Sequence, residues 1–265
     1  MALGEKRLFL LDMDGTLYLG EQLFPGAGEF LSSIRAHGGR YLFLTNNSSR
    51  GVDSYVKKLA RLGIDSRAED FLTSVDAAIC FLKKEYPGAK CYVCGTRSFY
   101  DQLRSAGICV TDRPTEDVTM VLSGFDTELT FEKLENASRL LTRGADWVAT
   151  NPDWVCPTEW GSVPDCGSVC QMLTNATGRT PRFIGKPQPE MIYLALERTG
   201  CAPEEAVVVG DRIYTDIASG VNAGIDSVFV LSGEGVMEDM EKYQIHPTWV
   251  FDNVAALRRQ WEEML

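Results

Sequence analysis

The stretch Leu8-Phe9-Leu10-Leu11-Asp12-Met13-Asp14-Gly15-Thr16 sets four large apolar residues directly before two carboxylates spaced two apart. A short apolar run bounded by polar residues reads as a strand buried on both faces, as in a parallel sheet. In an open α/β sheet, ligands bind just beyond the carboxyl ends of the strands. Asp12 and Asp14 therefore stand where a ligand would bind, close enough in sequence to share one divalent cation. Gly15 lets the backbone turn sharply there. Taken alone, the same letters also describe a plain acidic turn in which Asp bonds to nearby backbone.

Three further strand ends carry polar residues. Tyr41-Leu42-Phe43-Leu44 runs into Thr45-Asn46-Asn47-Ser48-Ser49. A hydroxyl and backbone N–H groups in that position could grip phosphate oxygens, although Ser/Asn clusters also cap helices. Arg182-Phe183-Ile184 leads to Gly185-Lys186-Pro187 and then Pro189. The prolines fix the local backbone and open a helix, which would hold Lys186 at a strand end. Val207-Val208-Val209 ends in Gly210-Asp211-Arg212, with Asp216 five residues beyond Asp211. Asp211 could equally cap the helix that follows. The set is rich in carboxylates, has one fixed cation, and offers no His, Cys or Ser nucleophile. Such carboxylates suit Mg²⁺, a hard oxygen-seeking ion. Mg²⁺, a lysine and a threonine together suit phosphoryl transfer, where positioning and charge stabilisation supply the catalysis.

Between these strand ends, apolar runs alternate with amphipathic stretches. Strands are predicted at 8–11, 41–44, 91–93, 119–122, 147–149, 182–184, 206–209, 227–231 and 248–251. Helices are predicted at 28–37, 52–63, 75–85, 99–106, 130–143, 168–176, 189–199, 214–223 and 254–264. Thr130 is a candidate N-cap, and Gly63, Gly107, Gly144, Gly200 and Gly224 are candidate helix stops. Strict alternation of this kind predicts α/β architecture with parallel sheets. Nine βα-type units are too many for one comfortable sheet. The polar motifs lie toward both ends of the chain and the middle carries none. We therefore expect a split core of residues 1–75 and 182–265, interrupted by a smaller α/β domain at 76–181.

The bulk composition narrows the class. The chain has 265 residues, 45% hydrophobic and 24% charged, which is ordinary globular usage. A formal net charge of −11 argues against nucleic acid or an anionic membrane as partner. It also demands local cations wherever an anionic phosphate binds. With no apolar run long enough to span a bilayer and no signal-peptide pattern, a cytoplasmic protein is expected. The eight cysteines lie mostly in or beside apolar segments and are expected to be reduced. Cys91 and Cys94 fall on one predicted strand and would face opposite ways, which disfavours a zinc site. The two histidines, His37 and His246, are far apart, so a Ser-His-Asp triad or a His-rich metal site is not expected.

Asp12-x-Asp14-Gly15-Thr16, Thr45, Lys186 and Gly210-Asp211 with Asp216, in this order, resemble the four motifs of the haloacid dehalogenase (HAD) superfamily. Thr45-Asn46-Asn47-Ser48, Thr150-Asn151-Pro152-Asp153, Gly185-Lys186-Pro187 and Asp211-Arg212-x-x-Thr215-Asp216 bring the resemblance closer to its NagD-like subgroup. The resemblance implies a Rossmann-like core with an inserted C2-type cap between Thr45 and Lys186. It also implies a phosphatase mechanism, with the Asp at position 14 pointing away from dehalogenation. Asp12 would attack phosphorus and form an aspartyl-phosphate. Asp14 would protonate the leaving oxygen and then activate water, which predicts a pKa raised above that of Asp12. Thr45, Asn46 and Lys186 would bind the phosphoryl group. Mg²⁺ would be held by Asp12, the Asp14 backbone carbonyl and Asp211, with Asp216 in support.

The implied substrate is a small phosphorylated metabolite such as a sugar phosphate, a nucleotide monophosphate or phosphoglycolate, with 4-nitrophenyl phosphate as a surrogate. Transfer of the phosphoryl group to another hydroxyl, and a non-catalytic phosphate-binding regulator on the same fold, are the alternative readings. Asn151 and Asp153 of the cap loop, with Trp154 beside them, are candidates to contact the leaving group. The stretch Trp154-Val155-Cys156-Pro157-Thr158-Glu159-Trp160 departs from the subgroup's small Gly/His-containing segment. Its two tryptophans could stack on a substrate, or fill the cap core or a dimer contact, the second being favoured. The family often dimerises through its cap, which implies a homodimer.

Overall fold

The computed structural model describes residues 2–158 and 160–265. The chain opens with β1 (Leu8–Leu11), a hairpin of β2 (Tyr18–Leu19) and β3 (Gln22–Leu23), and helix α1 (Ala27–Ala36). Next come β4 (Arg40–Thr45), α2 (Val52–Arg61), β5 (Phe71–Thr73), α3 (Ser74–Glu85), β6 (Lys90–Cys94), α4 (Arg97–Ser105) and β7 (Cys109–Thr111). The middle continues with β8 (Met120–Ser123), α5 (Phe131–Thr142), β9 (Asp146–Ala149), a second hairpin of β10 (Val155–Thr158) and β11 (Gly161–Pro164), α6 (Cys166–Thr177) and β12 (Arg182–Phe183). The chain closes with α7 (Glu190–Thr199), β13 (Ala206–Gly210), a π-helical turn Ile213–Ile217 running into α8 (Ala218–Ala223), β14 (Asp226–Val230), α9 (Glu238–Tyr243), β15 (Trp249–Phe251) and α10 (Val254–Glu262).

The chain forms two compact units. The first comprises residues 1–45, 53–72 and 186–265 and holds the six-stranded sheet β15-β14-β13-β1-β4-β5. β1 pairs in parallel with both β13 and β4, and every residue of β1 and β13 is buried, as the continuous apolar runs require. Phe9 of β1 meets Phe30 of α1 and Trp261 of α10 edge-on, at centroid distances of 5.5 and 5.1 Å. These contacts lock one sheet face to its covering helices. From β1 the chain builds outward through β4 to β5. It returns at β13 and builds the other way through β14 to β15. The order therefore reverses between β1 and β13, the topological switch point where ligands bind in such sheets.

The second unit comprises residues 46–52 and 73–185, so in sequence it is inserted into the first. Its five-stranded sheet has the order β12-β9-β8-β6-β7, with parallel pairings throughout. Helices α5 and α6 pack on it around Tyr92, Val121, Leu140, Leu141, Cys170 and Leu173. The boundary expected at residue 182 moves. Arg182 and Phe183 pair with Val148 and Ala149, so this strand extends the second sheet and the first unit resumes at Lys186. Helix ends follow local chemistry: Thr130 Oγ1 accepts from Lys133 N at 3.3 Å, and Gly200 ends α7 in the left-handed conformation.

Cys91, Cys94, Cys166 and Cys170 are buried, while Cys80 and Cys109 are exposed. Among the described residues, no helix is long and apolar enough to cross a membrane.

Candidate active site

Parallel pairing brings three strand ends of the first unit to one level. Leu11 lies opposite Phe43 on β4 and Val209 on β13, and Asp12 N donates to Val209 O at 2.9 Å. Asp12, Thr45 and Asp211 therefore leave the sheet side by side. Lys186 reaches the same place after β12: its Nζ lies 2.7 Å from Asp12 Oδ1, 2.6 Å from Asp216 Oδ1 and 3.5 Å from Leu44 O. The Lys186 side chain is only 4% exposed, so its charge is held by these partners and not by water.

Asp12, Asp211 and Asp216 each place a carboxylate oxygen within 4.8 Å of the others. Burial pushes Asp12 up to about 8, with Asp216 and Asp211 adding to the rise and Lys186 opposing it. Asp211 is pushed up to about 6, again by burial first and then by Asp216. Three crowded carboxylates against one contacting lysine leave an excess of negative charge. A divalent cation would offset it and restore the ionised forms. The donors are all hard oxygens, which fits Mg²⁺ and not a thiolate- or imidazole-seeking metal.

Two glycines pack closely against Asp211. Gly15 has φ +84°, and a Cβ built on it would lie 2.8 Å from Asp211 Oδ1. A Cβ on Gly233 would meet Asp211 Oδ2 and come within 2.7 Å of Gly15 Cα. Asp211 is further fixed by Thr16 Oγ1 at 3.3 Å and Glu234 N at 2.8 Å, and Ser232 Oγ donates to Gly15 O at 2.8 Å. Asp216 Oδ2 accepts from Arg212 N at 3.1 Å, so both of its oxygens are engaged. Ser232, Gly233 and Glu234 had no recognisable pattern in sequence, since their role rests on a loop folding back over Asp211.

Asp14 stands apart from the buried cluster. Its side chain is 58% exposed, and Oδ2 lies 3.8 Å from Lys58 Nζ. Burial raises its pKa, with Lys58 and then Arg212 opposing. The pronounced rise is thus at Asp12, where burial is the first cause, and not at Asp14 as the assigned roles would require.

The remaining candidates lie in the second unit. Asn151 is fully buried; its Nδ2 donates to Asn46 O at 2.9 Å and its Oδ1 accepts from Asp153 N at 3.0 Å. Asn151 is thus held as a structural tie within this unit. Asn46 Nδ2 in turn donates to Asp153 Oδ2 at 3.0 Å. Trp154 and Trp160 are 58% and 76% exposed, so neither fills the core of this unit. Both flank or lie in the short β10–β11 hairpin, which has too little apolar surface to cover them.

These strand ends, with their order Asp/Asp, Thr, Lys, Asp/Asp, coincide with known sequence families. Residues 9–109 match the haloacid dehalogenase-like hydrolase model, and residues 183–257 match a HAD-hydrolase-like model. The acid sugar phosphatase of Staphylococcus aureus is 34% identical over 248 residues, covering 94% of this chain and 95% of that one. The chain belongs to the haloacid dehalogenase-like hydrolases. Among solved structures, this HAD chain is similar to the 4-nitrophenylphosphatase of Thermotoga maritima, with a TM-score of 0.92 at 38% identity over 98% of both chains. It is also similar to NagD from Escherichia coli K-12, with a TM-score of 0.86 at 32% identity over 94% of this chain and 97% of that one. The protein is a NagD-like HAD phosphatase with a Rossmann-like core and an inserted α/β cap.

Proposed function

We propose that this HAD phosphatase is a magnesium-dependent phosphomonoesterase that acts through an aspartyl-phosphate on Asp12. The observation that carries this reading is Lys186 clamped between Asp12 and Asp216 at the switch point, inside a cluster of carboxylates that one lysine cannot neutralise. Mg²⁺ held by Asp12 and Asp211, with the Asp14 backbone carbonyl, would neutralise carboxylate and phosphoryl oxygens. Asp216 supports from behind, because its two oxygens are committed to Lys186 and Arg212 N.

In the first half-reaction, the free oxygen of Asp12 attacks phosphorus while Oδ1 stays on Lys186. Lys186 holds Asp12 oriented and stabilises the charge that builds on the phosphoryl oxygens. Thr45, at the neighbouring strand end, donates its hydroxyl to one of those oxygens. Asp14 gives a proton to the leaving oxygen. In the second half-reaction Asp14 takes a proton from water, the water oxygen attacks phosphorus, and Asp12 is released as a carboxylate. The exposed position of Asp14 suits a group that must meet both a leaving group and water. The nature of the S. aureus relative supports a sugar phosphate as the first substrate class to test, ahead of nucleotide monophosphates and phosphoglycolate.

The test is turnover of 4-nitrophenyl phosphate and a sugar phosphate panel with Mg²⁺ or with EDTA. Activity in Mg²⁺ that disappears in EDTA and in Asp12→Asn supports the reading. Full activity of Asp12→Asn, or indifference to EDTA, would overturn it.

A further inference from the structure

Resting on that reading, we infer that Lys58 is a positioning residue that holds the Asp14 carboxylate in place for activation of water. Lys58 lies on α2 next to Lys57, and a lysine on a helix usually marks only a solvated face. Here its side chain is 21% exposed, and its Nζ lies 3.8 Å from Asp14 Oδ2 and 4.0 Å from the centre of the Tyr18 ring. Among the described residues, it is the only cation within ion-pairing distance of Asp14. Asp14 needs such a partner, since its exposed carboxylate would otherwise sample several rotamers.

The surroundings favour a built arrangement over a chance contact. Asp14 bridges to Tyr18, and Gly15 N donates to Tyr18 O at 2.8 Å, so the acid and the ring beneath the lysine belong to one rigid turn. Three residues along the same face of α2, Arg61 reaches the tip of that hairpin, with Nη2 3.0 Å and Nε 3.4 Å from the two oxygens of Glu21. Helix α2 thus grips the β2–β3 hairpin at its base through Lys58 and at its tip through Arg61. The ion pair fixes where the Asp14 carboxylate points, so its loss is read most directly in the half-reaction that depends on Asp14 as base.

The test uses Lys58→Met, which keeps the stem over Tyr18 and removes the charge, and Lys58→Arg, which restores it. With 4-nitrophenyl phosphate the leaving group departs without protonation, so slow water activation alone shows as a pre-steady-state burst. Lys58→Met is expected to lower kcat on the order of 10- to 100-fold, with KM changed less than about threefold, and to show a burst of roughly one nitrophenolate per site. Lys58→Arg is expected to recover kcat to within about threefold and to lose the burst. Unchanged kcat, a loss of kcat without a burst, or a rise in KM alone would overturn the inference; the last would make Lys58 a substrate-binding group. Should Lys58→Met fail to fold, Lys58→Gln is read by the same criteria. Asp12→Asn separates the two levels: its activity would sink the aspartyl-phosphate reading, whereas an inert Lys58 substitution leaves that reading standing.

Discussion

Replacing Lys186 with methionine removes the one cation that contacts both Asp12 and Asp216, at 2.7 and 2.6 Å, from a site where the lysine is almost fully buried. Breaking a buried pair by deleting one partner leaves the other charge uncompensated and costs about 3–5 kcal/mol. Against a total stability of roughly 5–15 kcal/mol, this is a large share. In a chain of this size it corresponds to a fall in Tm on the order of 10 °C. The loss must depend on pH and on metal. Without Lys186, the Asp12 carboxyl rises further above its unfolded value. A raised carboxylate binds its proton more tightly in the folded state, so stability falls as pH increases from the unfolded pKa toward the folded one. The deficit of Lys186→Met relative to wild type is therefore expected to be near zero around pH 4 and to widen toward pH 8 in EDTA. Saturating Mg²⁺ should narrow it by supplying positive charge to the same oxygens. Activity should drop about 10³-fold or more, since Asp12 loses its orienting and charge-stabilising partner. Thermal melts at pH 4, 6 and 8, each with EDTA and with Mg²⁺, measure the first effect, and 4-nitrophenyl phosphate turnover the second. A deficit that is the same at all pH values and in Mg²⁺ would show that Lys186 acts by packing alone.

Three other outcomes follow from the same geometry. In wild type without metal, Asp12 is pushed up to about 8 by burial, so apoprotein stability should decline between about pH 4 and pH 8 and be restored by Mg²⁺; a flat profile in melts with EDTA would contradict this. Gly233→Ala pushes a methyl group into Asp211 and Gly15, so Mg²⁺ should be needed at on the order of tenfold or higher concentration for half-maximal activity, and unchanged metal dependence would refute the fit. Lys6→Met removes the buried lysine from its part-buried pair with Asp226 at the opposite ends of the same strands, and should lower Tm while kcat at 25 °C stays within about twofold; a selective loss of kcat would refute it.

The sheets were readable because their strands are continuous apolar runs ending in polar residues, as at Leu8–Leu11 and Ala206–Gly210. What escaped were short pairings. Tyr18–Leu19 with Gln22–Leu23, and Val155–Thr158 with Gly161–Pro164, are too brief or too exposed to show a period. The three-residue strands Phe71–Thr73 and Cys109–Thr111 are edge elements that depend on a neighbour for their identity. Within the site, Asp12, Lys186 and Asp211 stood out because each follows a predicted strand. The direct ion pair from Lys186 to Asp216 could not be seen, since it depends on the π-helical turn that aims Asp216 backward. Lys58 gave no signal at all, because a lysine on a helix face looks the same in sequence whether it meets water or Asp14. Asn151 could be placed from sequence only on the cap loop; that its amide donates to the Asn46 carbonyl depends on a residue 105 positions away.

The identity of the phosphorylated atom tests the centre of this mechanism. Asp14→Asn treated with radiolabelled 4-nitrophenyl phosphate should form the phosphoenzyme, because the leaving group needs no proton, and should fail to hydrolyse it, because the base is gone. After rapid acid quench and digestion, the label is expected on the peptide carrying Asp12, at about one phosphoryl group per chain, sensitive to hydroxylamine and absent from the variant that also carries Asp12→Asn. Release of nitrophenolate with no label on the protein, or label on any other residue, would contradict it.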